Sequence, residues 1–115
     1  MPRSWTHRLE DILDAFAAID EYVSACTLSE FASDRRTIQA VAFNFVVIGE
    51  AAGQVPDEVR ARAADIPWER MRGMRNLIAH QYFDVDAAIL WHTATADLPP
   101  LVPALRQLQS SQDGE

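Results

Sequence analysis

Between Trp5 and Cys26, the apolar residues Leu9, Ile12, Leu13, Phe16, Ile19 and Val23 recur three and four positions apart. That spacing lines one side of an α-helix with apolar groups and leaves acidic residues for the other. A second segment obeys the same rule. From Asp34, whose short carboxylate suits a helix N-cap, Ile38, Val41, Ala42, Phe45 and Ile48 share a face, and the helix is expected to end near Gly53, ahead of Pro56. Val46 and Val47 widen the apolar surface, so this helix is expected to be the most buried. Period-two alternation never persists beyond a few residues, so nothing in the chain reads as a half-buried strand.

The remaining punctuation is also helical. Ser29-Glu30-Phe31 reads as a short turn of helix, and Pro56-Asp57-Glu58-Val59-Arg60 as a first turn with proline early and acids near the positive end of the dipole. A third main helix is expected from Trp68 to about His80, with Met71, Met74, Leu77 and Ile78 on its apolar side. Asp84 or Asp86 can cap a fourth helix carrying Ile89, Leu90 and Trp91. Pro99-Pro100 should interrupt or bend the chain before a last segment marked by Leu101, Leu105 and Leu108. These elements make one all-α domain over residues 1–110, an up-and-down bundle of four to five helices, with a frayed tail at 111–115.

Composition narrows the function classes. At 115 residues, 49% hydrophobic and 23% charged, the chain is expected to be a soluble globule. It has no apolar run near the roughly 20 residues a membrane span needs. The N-terminal residues lack the apolar stretch of a signal peptide, and a cytoplasmic location is expected. The lone Cys26 permits no internal disulfide and reads as a small packing residue.

The net charge of −7 disfavours a nucleic-acid partner until its distribution is read. All ten basic residues are arginine. Arg60, Arg62, Arg70, Arg72 and Arg75 fall between positions 60 and 82, against only Asp65 and Glu69, so that segment carries 5 − 2 = +3. Arginine's planar fork donates two parallel hydrogen bonds to a phosphate.

That segment also holds the residue types RNA cleavage requires. A histidine can deprotonate a ribose 2′-hydroxyl because its pKa lies near neutrality, and an arginine can stabilise charge on the phosphate oxygens. His80 and Arg75 are the candidates. Asn76 lies one helical turn before His80, where its amide can orient the ring or bond a phosphate. Five residues advance an ideal helix by about 500°, so Arg75 and His80 would point about 140° apart. Either the helix ends near His80 and the ring swings back, or an arginine and a histidine from two chains meet across a dimer interface. Arg75 and Tyr82, seven apart, would share a face if the helix continued.

Arg75-x4-His80-x-Tyr82 resembles the signature of HepT toxins, in the HEPN superfamily of helical ribonucleases. Leu9-Glu10-Asp11-Ile12-Leu13, Ile48-Gly49-Glu50-Ala51-Ala52, Ile66-Pro67-Trp68, Gly73-Met74-Arg75-Asn76, His80-x-Tyr82-Phe83 and Asp97-Leu98-Pro99-Pro100-Leu101 resemble further blocks of that family, in order. The resemblance implies a HEPN-like homodimer whose paired motifs face a shared cleft and cleave RNA, such as a tRNA or an mRNA, without metal or cofactor. It also implies a type VII-like toxin–antitoxin system, in which a minimal nucleotidyltransferase antitoxin neutralises the toxin by AMPylation of the motif tyrosine. On these positions, Arg75 and His80 would be catalytic, Asn76 accessory, and Tyr82 the modified residue. AMP there would add bulk and negative charge beside the cleft.

Secondary candidates follow. Glu50 can reach the cleft and pair with an arginine, and Arg72 can help bind RNA. His80, Asp84 and Asp86 make too common a grouping to be read as a metal site. His7 and His92 read as structural or solvent-facing, and Trp5, Trp68 and Trp91 as packing anchors. Two alternatives share Tyr82: a non-catalytic helical dimer that serves as a binding module or substrate for the nucleotidyltransferase, and a plain scaffold.

Overall fold

The first apolar stripe forms α1, Trp5–Ser24, and buries Leu9, Ile12, Leu13, Ala15, Phe16, Ile19 and Val23. The computed structural model describes the backbone over 4–80 and 86–111, and side chains over 4–76 and 86–111. Thr27 then caps α2, Leu28–Ala32, in a reciprocal capping box: its hydroxyl accepts from the Glu30 amide at 3.2 Å, and Glu30 accepts from the Thr27 amide at 2.8 Å. This short helix drives the fully buried Phe31 into the core, where its ring lies 5.4 Å from that of Trp91.

Asp34 caps α3, Arg35–Gly53, accepting from the Thr37 amide and hydroxyl at 3.2 and 2.6 Å. Those bonds, the hydroxyl first, hold the Asp34 carboxyl below its ordinary pKa of 3.8. Pro56 precedes α4, Asp57–Arg60, which tightens into a 3₁₀ turn over Ala61–Ala63. The third main helix, α5, runs Trp68–His80. Asp86, rather than Asp84, is the cap of α6, Ala87–His92, accepting from the amides of Ala88 and Ile89. A π-helical turn at Thr93–Asp97 and a 3₁₀ turn at Pro99–Leu101 lead into α7, Val102–Ser110. The diproline therefore changes the helix type instead of breaking the chain. The Leu98 amide bonds back to the Thr93 carbonyl at 3.0 Å, just before the two residues that have no amide hydrogen.

The architecture is an all-α, HEPN-like bundle, and no strand occurs among the described residues. Its frame is α1, α3, α5 and the α6–α7 arm, with α2 and α4 as short connectors. Consecutive long helices are neighbours: α3 packs against α1 on one side and α5 on the other, while α7 returns to α1. The core runs between them through Phe45, Ile48, Met71, Leu90 and Leu105, all fully buried. Each such side chain contributes about 1.5–3 kcal/mol relative to exposure. α1 and α3 bury comparable shares of their length, seven residues of 20 and six of 19. Being flanked on two sides leaves α3 a third side to solvent, where Phe43 is 67% exposed.

The tryptophans are anchors. Trp68 is buried and its indole N–H donates to the Ala63 carbonyl at 3.1 Å, while Trp5 lies under the Arg62 guanidinium at 5.5 Å. His7 and His92 face solvent, and Cys26 is partly buried. No single helix among the described residues is long and apolar enough to cross a membrane.

Candidate active site

The site is set by how closely α3 and α5 approach. Gly49, buried on α3, has no side chain, and a β-carbon there would stand 2.7 Å from both Cβ and the backbone N of Arg75. Only glycine permits that approach, so α5 lies directly on α3 at this point. The next residue, Glu50, then meets the Arg75 side chain: Arg75 Nη1 donates to Glu50 Oε1 at 2.6 Å. Both side chains are about half exposed, at 48% and 51%.

Around this crossing lies a polar cavity of about 370 Å³, lined by Glu50, Gln54, Glu69, Arg72, Arg75 and Asn76. Four of the five expected site residues with described side chains or backbones, Glu50, Arg72, Arg75 and Asn76, thus share one cavity. The backbone of His80 lies on α5, one turn beyond Asn76. The side chain of His80 and the whole of Tyr82 lie outside the described residues. Of the loose grouping His80, Asp84 and Asp86, the described carboxylate, Asp86, is committed to capping α6. A larger cavity of about 580 Å³ lies between α5 and the π-helical turn, but Phe45, Met71, Met74, Ile89 and Leu98 make it chiefly apolar.

The electrostatics differ from the sequence expectation. Arg72 Nη1 pairs with Glu69 Oε1 at 3.2 Å, and the same carboxylate oxygen lies 3.6 Å from Arg60 Nη1. Arg60 also pairs with Asp57, and Arg70 with Asp97 at 3.5 Å. The arginine cluster is therefore threaded with carboxylates, several from outside the basic segment. Sequence reasoning counted Glu69 as a charge and not as a partner of Arg72, although their three-residue spacing signals an intrahelical pair. Gly49 carried no such signal, because the crossing joins positions 26 residues apart.

The sequence profile of the HepT-like family, described as "Ribonuclease HepT-like", matches residues 12–108. The chain is 35% identical over 109 residues to a Thermococcus cleftensis protein named "Probable ribonuclease HepT", covering 95% of this chain and 99% of that one. It is 30% identical over 100 residues to a candidate RNase of Caldanaerobacter subterraneus subsp. tengcongensis, covering 87% and 89%. A candidate RNase of Methanocaldococcus jannaschii is 33% identical over 93 residues, covering 81% and 80%. No solved structure matches the chain.

Proposed function

The chain belongs to the HepT-like ribonuclease family, and on that footing we propose that it is a metal-independent endoribonuclease toxin using Arg75 and His80. The observation that carries this reading is the polar cavity at the α3–α5 crossing, which gathers Arg72, Arg75 and Asn76 one helical turn from the His80 end of α5. His80 takes the 2′-hydroxyl proton as O2′ bonds to phosphorus. The bond from phosphorus to O5′ breaks, leaving a 2′,3′-cyclic phosphate, and O5′ leaves as a hydroxyl after gaining a proton from the imidazolium. Arg75 compensates the charge that grows on the non-bridging oxygens. Asn76 orients His80 or a phosphate, and Arg72 holds a flanking phosphate. The residues themselves supply base, acid and electrostatic stabilisation, so the scheme calls on no metal ion.

In this reading the protein acts in the cytoplasm as a homodimer, and a minimal nucleotidyltransferase antitoxin silences it by transferring AMP to Tyr82. The test is cleavage of a labelled single-stranded RNA in EDTA. Wild type is expected to cut, with His80→Ala and Arg75→Ala reduced by about 10²–10³-fold. An undiminished His80→Ala would sink the assignment. Tyr82→Phe is expected to cleave but to resist silencing by the nucleotidyltransferase and ATP, whereas wild type gains the mass of AMP.

The competing reading, a non-catalytic dimer serving only as the nucleotidyltransferase's substrate, draws on the carboxylates that offset the arginines. It predicts AMP transfer with no cleavage.

A further inference from the structure

Resting on the ribonuclease reading and deepening it, we infer that Glu50 is a positioning residue: it tethers the Arg75 guanidinium, trading RNA affinity for orientation. The pair joins two helices beside the close approach that Gly49 permits, 2.6 Å apart across 25 positions of sequence. Helix periodicity does not impose it, unlike the Arg72–Glu69 and Arg60–Asp57 pairs, each three residues apart within one stretch of chain. Half-exposed ion pairs add little to stability, so holding the fold together does not account for it. What the bond does is fix a long side chain whose freedom would otherwise be lost only on meeting substrate.

The atoms used decide what remains. Glu50 engages Nη1, and the Nε–Nη2 edge still presents two parallel N–H groups to a phosphate. A guanidinium held by one corner thus keeps a complete fork. The same carboxylate also lowers the positive potential that draws a polyanion into the cavity. Orientation and attraction therefore pull in opposite directions at Glu50, and substitutions separate them. Glu50→Gln keeps an acceptor oxygen and removes the charge. Glu50→Ala removes both.

The experiment uses the full chain, a fluorophore-labelled single-stranded RNA, and NMR of the ¹⁵N-labelled arginine guanidinium N–H groups, with the Arg75 signals identified from Arg75→Lys. Both Glu50 variants are expected to lower KM by about threefold or more, because a repelling charge is gone. Only Glu50→Ala is expected to lose kcat, by about tenfold or more, with Glu50→Gln close to wild type. The Arg75 Nη1–H signal is expected to collapse toward that of a free arginine in Glu50→Ala and to persist in Glu50→Gln. An unchanged kcat in Glu50→Ala, a raised KM in both variants, or an Arg75 signal indifferent to Glu50→Ala overturns the tether. Failure of the wild type to cut any more than His80→Ala overturns the ribonuclease reading instead, and the Arg75 signal still tests the tether.

Discussion

Two glycines on facing helices have opposite meanings. At Gly49 an added β-carbon meets Arg75 Cβ and backbone N at 2.7 Å and the Arg72 carbonyl at 3.1 Å. These atoms belong to the frame of α5 and cannot swing aside. Gly49→Ala is expected to lose about 2–3 kcal/mol through overpacking against fixed backbone, which outweighs the roughly 1 kcal/mol that alanine gains inside a helix. It should also push Arg75 away from Glu50 and depress RNA cleavage further than the lost stability explains. At Gly73, on α5, a β-carbon would meet nothing within 4 Å. Gly73→Ala is therefore expected to stabilise by about 0.5–1 kcal/mol. Urea denaturation of both variants checks the pair, and a Gly49→Ala protein as stable as wild type contradicts the close crossing.

At the scale of helices, legibility followed the range of the physics. The apolar stripes of α1 and α3, the Asp34 cap, the stop near Gly53 and the start of α5 at Trp68 depend on residues within a turn or two, so one sequence suffices to read them. The same holds for Arg75 and His80 as candidates, although the motif's specificity came from resemblance and not from spacing. The Arg75–Glu50 pair and the exposure of Phe43 depend on which helices cross and where, and local periodicity does not encode that. The Asp34 cap makes a pH prediction. Its carboxyl titrates lower in the folded chain than in the unfolded chain, so the unfolded state binds its proton first as pH falls. The stabilisation is complete above the ordinary carboxylate range and is lost as pH drops through the lowered value. Asn caps a helix about as well without titrating. The melting difference between wild type and Asp34→Asn should therefore shrink as pH falls from neutrality to below 3.8. A difference independent of pH contradicts this account of the cap.

Across the whole molecule, a chain of net charge −7 has to present RNA with a surface that does not repel it. Folding works against the basic segment, since Asp57, Glu69, Asp97 and Glu50 all reach its arginines. One cavity holding two arginines against two carboxylates attracts a polyanion only weakly. A second copy changes that if it brings another Arg72 and Arg75 to the same cleft. Phe43 marks the side on which this is expected: it is exposed on α3, and Val46, Val47 and Glu50 follow it at helical spacing toward the cavity. If the chain pairs through this side, as proposed, Phe43→Glu is expected to convert a dimer of 12.9 kDa chains into monomers on sedimentation, with helix content unchanged, and to abolish cleavage. Mixing then decides how each site is built. If Arg75 of one copy works with His80 of the other, Arg75→Ala and His80→Ala chains should regain activity together. Random pairing makes half of the dimers mixed, each with one intact site, or roughly one quarter of wild-type activity. If each chain supplies its own pair, no mixed dimer holds an intact site. Activity that stays at background while subunits are seen to exchange would assign the Arg-x4-His pair to a single chain, with His80 turned back from the end of α5.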